Sequence, residues 1–326
     1  MRAIGQDFGQ RTGAALGGAL GQTLGSLSGS LLQGLLTSGT FLKEAAGNYL
    51  DPTPGTASLV DYVQIGGLAR RYIAIYPTTP TPGAPVLILL HAHGMTPERM
   101  ANLARVGRLA ASEGAYVLVP EGQNKDWNDD PTSNKSVDDV GFLSALIAKA
   151  ISAYKVDKTH IYVAGYSNGG FMAERLACEK SNLIAGIAAV ASTMRTGLAN
   201  NCSPTRKMPF VLMDGTSDPV IWYNGNLLFE SVAETAAFWA LNAGCPGSMT
   251  SAKLANQTSD GTDIALTSFT SCPAGTGVSA YTIDKGGHTW PDSDGSFYTL
   301  GLGKTTQNLD ATTALWSFLI PFSRPN

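Results

Sequence analysis

The run Val86-Leu87-Ile88-Leu89-Leu90 is continuously apolar. A strand of this kind has no face to give to water, so both of its sides must be covered, as in a parallel sheet with helices above and below. Three further apolar runs follow it, Tyr116-Val117-Leu118-Val119-Pro120, Ile161-Tyr162-Val163-Ala164 and Phe210-Val211-Leu212-Met213. Between them lie segments of helical period. Glu98 to Ser112 sets Leu103, Val106, Leu109 and Ala110 on one stripe, and Val140, Leu143, Ile147, Ile151 and Tyr154 form another. Ser136 and Asp139 have capping-box spacing ahead of the second helix. Repeated strand–helix–strand units predict an α/β fold with a mostly parallel central sheet and helices on both faces.

The amino-terminal part of this domain has a different pattern. Asp61 to Ile65 and Arg70 to Tyr76 alternate with period two around Gly66-Gly67, which predicts an antiparallel hairpin at the start of the sheet. Asp51-Pro52-Thr53-Pro54-Gly55 reads as a linker, and Pro77 to Pro85 as a second. Residues 1–50 are unlike the rest. No charge occurs between Arg11 and Lys43, and Gly13, Gly17, Gly21, Gly25 and Gly29 recur beside Leu16, Leu20 and Leu24. On a helix this spacing makes a glycine ridge next to a leucine ridge, and small-xxx-small ridges let helices approach closely. Gln22, Thr23, Ser26, Ser28, Ser30 and Gln33 interrupt the run, so it makes no clear membrane span. A helical extension that packs on the main domain or mediates self-association is expected, with a flexible extension as the other reading. The expected division is therefore 1–50 helical extension, 51–57 linker and 58–326 catalytic domain.

Only 14% of the 326 residues are charged and the net charge is -3, with no basic stripe, which argues against nucleic acid as a partner. Cys178, Cys202, Cys245 and Cys272 include no C-x-x-C pair, which removes zinc-ribbon and thioredoxin readings. Chain proximity favours Cys178–Cys202 and Cys245–Cys272 bridges in an oxidising compartment, with four buried free thiols as the alternative. No secretory signal of the usual form is visible in the first thirty residues, so a secreted or periplasmic location is an inference.

The chemistry centres on Gly165-Tyr166-Ser167-Asn168-Gly169-Gly170, placed between the Ile161–Ala164 strand and a helix from Phe171 to Cys178. This is a G-x-S-x-G elbow in the strand–turn–helix setting that gives it meaning. Side chains at Gly165 and Gly169 would meet neighbouring backbone in so sharp a turn. Ser167 is the expected nucleophile, at a helix N-terminus that favours a developing oxyanion. For an elbow of this kind the acid and then the base follow the serine in chain order. Of His91, His93, His160 and His288, only His288 does so; it lies in Gly286-Gly287-His288-Thr289-Trp290, a glycine loop mobile enough to swing the ring toward the serine. The acid comes from Asp214-Gly215-Thr216-Ser217-Asp218-Pro219. Asp218, out in the loop, is preferred over Asp214, which is expected to accept backbone N–H bonds within the turn.

The expected oxyanion donors are the N–H of Asn168 and that of Met95, in His91-Ala92-His93-Gly94-Met95. His91 and His93 are spaced for metal only if the segment is still a strand, and no third ligand or H-E-x-x-H pattern accompanies them, so loop hydrogen bonding is expected. Asp292 and Asp294 before Gly295 lack the later ligands of a calcium loop and read as a solvated turn. Neither metal nor cofactor is expected. Trp127, Trp290, His93 and Tyr166 are the candidate substrate-binding residues, with Trp222 and Tyr223 as possible additions; packing in core or loop is the alternative for the aromatics.

Asp138-Asp139-Val140-Gly141-Phe142-Leu143, the elbow, Gly215-Thr216-Ser217-Asp218-Pro219 and Gly286-Gly287-His288-Thr289-Trp290-Pro291, in that order, resemble the polyhydroxybutyrate-depolymerase-like esterases. That group includes the feruloyl and acetylxylan esterases of carbohydrate esterase family 1, within the α/β-hydrolase superfamily. The resemblance covers about residues 58–322. It implies secretion, no metal, a Ser167–Asp218–His288 triad, an oxyanion loop at His93-Gly94-Met95, and hydrolysis of esters with extended or polymeric parts. Two departures stand out: relatives usually carry Leu directly before His-Gly where this chain has Leu90-His91-Ala92-His93-Gly94, and the glycine-rich extension lies outside the family pattern. The expected activity is a serine carboxylic-ester hydrolase acting on short-acyl or aromatic, feruloyl-type esters of plant cell-wall origin. A polyhydroxybutyrate-type polyester depolymerase is the alternative. A serine peptidase and a non-catalytic binding protein on the same fold are more remote.

Overall fold

The computed structural model describes residues 49–133, 135–294 and 301–326. The glycine-rich extension expected over 1–50 lies almost wholly outside the described residues. The expected linker is only partly a linker: the first strand begins at Thr56.

Ten strands form one sheet: β1 (Thr56–Ile65), β2 (Leu68–Pro77), β3 (Val86–Leu90), β4 (Tyr116–Pro120), β5 (Ile161–Tyr166), β6 (Gly186–Val190), β7 (Phe210–Gly215), β8 (Met249–Lys253), β9 (Asp263–Phe269) and β10 (Val278–Asp284). Their order is β1-β2-β4-β3-β5-β6-β7-β10-β9-β8. The six strands from β4 to β10 in this order are mutually parallel. The expected opening hairpin β1–β2 caps one edge, and β8 and β9 add antiparallel strands at the other, which the sequence reading did not anticipate.

The parallel strands bury both faces by simple alternation. Val86, Ile88 and Leu90 point into one core layer and Leu87 and Leu89 into the other. The first layer is closed by helices α3 (Asp139–Lys149), α4 (Asn168–Lys180) and α5 (Val232–Ala243). The second is closed by α1 (Pro97–Leu103), α2 (Val106–Glu113) and α6 (Ala311–Leu319).

Two helical expectations are corrected. The single helix over Glu98–Ser112 is two, broken at Arg105, which has φ 50°. The break frees the Ala104 carbonyl to accept from the Thr312 hydroxyl at 2.6 Å and carries Arg105 to Asp292 at 2.8 Å. The expected capping box, with Ser136 as the cap and Asp139 three residues later, does not form. Asp138 caps the helix instead, accepting from the Gly141 N–H, while Asp139 turns inward to Arg70 and the Asn128 N–H, both at 2.7 Å.

Between β3 and β5 the chain reverses its direction of travel across the sheet. The loops leaving these two strands therefore diverge and open a crevice, the usual ligand position in a sheet of this type. The elbow after β5 and the loop after β3 both sit there. Cys178–Cys202 and Cys245–Cys272 are bridged as chain proximity suggested, which fits an oxidising, extracellular setting. Among the described residues no helix is long and apolar enough to cross a membrane.

Candidate active site

The elbow is built by its glycines. A Cβ on Gly165 would run into the Gly169 carbonyl, and one on Gly169 into the Leu90 carbonyl, both far inside van der Waals contact. Ser167 itself is held at φ 53°, a conformation a non-glycine residue adopts only when its surroundings enforce it. Its N–H donates to the Val190 carbonyl at 2.9 Å, and its own carbonyl accepts from the Gly170 and Phe171 N–H groups at 2.8 and 3.1 Å. The side chain is thus presented at the start of α4, over the carboxyl end of the sheet.

The three residues expected to act together are brought together. Ser167 Oγ lies 2.9 Å from His288 Nε2, and His288 Nδ1 lies 2.7 Å from Asp218 Oδ2. Asp218 is buried and its second oxygen accepts from the Val220 and Ile221 N–H groups at 2.7 and 2.8 Å. With Oδ1 satisfied by backbone, Oδ2 is left to orient the imidazole.

His288 does not sit on a swinging loop, as the sequence suggested. Its N–H donates to the Leu302 carbonyl at 2.7 Å, and its carbonyl accepts from the Tyr166 hydroxyl at 2.7 Å. The glycines serve close packing instead: a Cβ on Gly287 would strike the Leu302 carbonyl, and one on Gly215 the Gly286 carbonyl.

Asp214 is also corrected. It is the penultimate residue of β7 and is buried, and neither oxygen reaches a hydrogen-bond partner of good geometry. Burial first, then the neighbouring Asp218, pushes its pKa well above the usual carboxylate range, with only weak relief from the Ser192 N–H. Glu174, one helical turn beyond Gly170, is likewise pushed up to about 8 by burial, offset in part by a hydrogen bond from Trp239.

Asn168 stands at the first position of α4, where the N–H has no helical acceptor. Its side chain is locked: Oδ1 accepts from the Trp127 N–H and Nδ2 donates to Asp129, both at 2.9 Å. Asp129 in turn holds Arg195 at 2.8 Å. Met95 behaves differently from expectation. Its N–H closes a turn onto the Ala92 carbonyl at 3.1 Å, and the Gly94 N–H donates to the Lys125 carbonyl at 2.8 Å. The loop's tight turn therefore spends the very amide that was expected to face the serine.

Three of the four candidate substrate-binding residues are structural. Trp127 is 0% and Trp290 1% exposed, and Tyr166 is buried against both Trp290 and His288. Trp127 donates its indole N–H to the His91 carbonyl at 2.9 Å. Buried rings of this size are fixed by core packing and offer a ligand no surface. Only His93 remains at the rim, 58% of its side chain open, paired at 3.0 Å with Asp126, which raises its pKa. Of the two possible additions, Tyr223 is tied to Thr282 at 2.8 Å, while Trp222 is 58% exposed.

His91 is consumed by the loop. Nε2 accepts from the Gly122 N–H at 2.9 Å and Nδ1 donates to the Ala92 carbonyl at 2.8 Å, a neutral tautomer that suits a ring whose pKa burial lowers to about 4. Asp292 is spent on Arg105. Among the described residues no group of three or more His, Cys, Asp or Glu is arranged to hold a metal ion.

No known family profile matches the chain. It is 25% identical over 291 residues to the "Putative esterase NocK" of Nocardia uniformis subsp. tsuyamanensis, covering 82% of this chain and 84% of that one. It is 28% identical over 240 residues to feruloyl esterase B of Piromyces equi; the match spans 68% of this chain and 43% of that relative. Among solved structures, the acetyl xylan esterase from Aspergillus awamori superposes with a TM-score of 0.54 over 72% of this chain and 94% of that one, at 14% identity. The fold is that of the α/β-hydrolases, as the motifs implied. The chain is similar to esterases, feruloyl esterase B among them, and its class is carboxylic ester hydrolase.

Proposed function

We propose that the chain hydrolyses carboxylic esters through an acyl-enzyme on Ser167, with His288 as base and Asp218 as the acid that orients it, and that its substrates are feruloyl-type aromatic or short-acyl esters. The observation that carries this reading is the unbroken relay from Ser167 Oγ through His288 to Asp218. His288 Nε2 takes the hydroxyl proton as Oγ forms a bond to the ester carbonyl carbon. The tetrahedral oxyanion is stabilised by the Asn168 N–H at the α4 terminus, a contribution of about 3 kcal/mol for one well-placed donor. On collapse the C–O bond breaks and the alcohol leaves with the proton from His288. A water molecule then gives a proton to the same nitrogen as it attacks the acyl carbon; the acyl C–Oγ bond breaks, His288 returns that proton to Oγ, and the carboxylic acid leaves free Ser167. Asp218 keeps the imidazole in the tautomer with Nδ1 protonated and stabilises the imidazolium.

The substrate class rests on the names of the relatives. Secretion is part of the same proposal and rests on the two disulfides. The test is hydrolysis of p-nitrophenyl acetate, p-nitrophenyl butyrate and methyl ferulate by wild type beside Ser167→Ala. Turnover that vanishes in the variant, with methyl ferulate among the substrates cleaved, supports the proposal. Activity retained by Ser167→Ala, or none on any of the three esters, contradicts it.

A further inference from the structure

Pro219 to Phe229, which follows the candidate acid, contains no charged residue. Its backbone is firmly built. The Gly225 N–H donates to Trp222 O at 2.8 Å, the Asn226 N–H to Phe229 O at 2.8 Å, and Asn226 Oδ1 accepts from the Leu228 and Phe229 N–H groups. Gly225, at φ 72°, makes the turn, and the Thr196 N–H holds Leu228 O from outside. Within this frame Trp222 is 58%, Leu227 95% and Leu228 53% exposed.

The loop is anchored to the reacting centre. Val220 and Ile221 donate to Asp218, and Ile221 and Phe229 pack on Phe171, whose N–H bonds to Ser167 O. Arg195 lies across the stacked Phe171 and Phe229 rings. A pocket for one dissolved molecule would bury its lining. Here large apolar side chains stand outward on an ordered, uncharged loop, the geometry of a surface that meets another surface. We propose that Trp222, Leu227 and Leu228 form a docking patch for the apolar surface of an aggregated, water-insoluble ester, seating the enzyme beside Ser167's substrate. This rests on the ester-hydrolase reading of that serine.

The test compares wild type with the double variant Leu227→Ser, Leu228→Ser. It measures kcat/KM on dissolved p-nitrophenyl acetate, the rate on tributyrin below and above its solubility limit, and the fraction of protein that partitions with the emulsion. The proposal expects a wild-type rate that rises sharply once droplets form. In the variant, emulsion rate and partitioning fall at least tenfold while acetate hydrolysis stays within about twofold. Unchanged partitioning overturns it. So does equal loss on dissolved and emulsified ester, or a wild-type dimer that the variant dissociates, which would make the patch a contact between copies. Leu227→Ser alone, at the most exposed position, gives the same readouts should the double variant fail to fold. Wild type inactive on dissolved acetate would count against the ester-hydrolase reading, while partitioning would still decide the patch.

Discussion

Asp214 and Asp218 leave the same strand end in opposite states. Asp218 accepts two backbone hydrogen bonds and one from His288, whereas Asp214, fully buried, has no partner of good geometry. Four residues apart, one carboxylate is satisfied by three hydrogen bonds, and the other is buried with its pKa pushed well above the usual carboxylate range, by burial first and then by Asp218. Asp218→Asn removes the acceptor that fixes the tautomer of His288 and is expected to lower kcat by roughly 10⁴-fold. Asp214→Asn changes a buried group outside the Ser167–His288–Asp218 relay, whose charged form burial already disfavours, and is expected to leave kcat near the wild-type value. Steady-state kinetics of the pair check this, and a reversed ranking would reassign the acid.

The buried acids also set a pH dependence of stability. Burial lifts Glu174 from 4.5 to about 8 and lifts Asp214 in the same direction. A folded state that keeps a carboxyl protonated binds more protons than the unfolded chain, so stability is full below the unfolded value and falls as pH rises through the folded one. Wild type should therefore lose stability from about pH 4.5 towards pH 8. Glu174→Gln, which keeps an acceptor for Trp239, removes its share, on the order of several kcal/mol. Denaturant titrations at pH 5 and pH 8 read the difference; equal slopes with pH for wild type and variant would refute it.

Asn168 ties the elbow to the Trp127–Asp129 segment through two buried hydrogen bonds. Asn168→Ala leaves the Trp127 N–H without that acceptor and is expected to cost about 1–3 kcal/mol for the unsatisfied group. The elbow loosens with it, so kcat should fall more than KM changes. Thermal unfolding and steady-state kinetics on one preparation test both effects.

The bridges span sequence separations of 24 and 27 residues. Each loop is long enough for about 3 kcal/mol of stabilisation in the chain-entropy account. Cys178→Ser with Cys202→Ser, and separately Cys245→Ser with Cys272→Ser, should each lower the guanidinium midpoint. A midpoint that stays in place would show that the bridge contributes nothing.

Legibility in the sequence followed the strength of the local signal. The runs at Val86–Leu90 and Ile161–Ala164 are apolar enough to read as strands without help, and the elbow glycines are demanded by sterics at the turn. β6, with the sequence Gly-Ile-Ala-Ala-Val, was missed because small residues carry weak strand preference and gain their place only from neighbours. β8 was missed because all five of its residues are exposed. α5 did carry a signal, the Ser231–Glu234 capping box, which could have marked its start. Trp127 and Trp290 were misplaced for a different reason. Proximity in sequence to site residues says nothing about which way a ring points, and both point into core layers on opposite sides of the sheet. Met95 failed because a turn's internal hydrogen bond depends on backbone angles that the sequence does not display.

The central claim is that Ser167 carries the acyl group. The most direct measurement is intact-protein and peptide mass spectrometry of enzyme quenched during p-nitrophenyl butyrate turnover. One butyryl group on the peptide bearing Ser167, absent from Ser167→Ala together with hydrolysis, is the predicted result. Turnover with the acyl group on another residue, or undiminished turnover by Ser167→Ala, would contradict it.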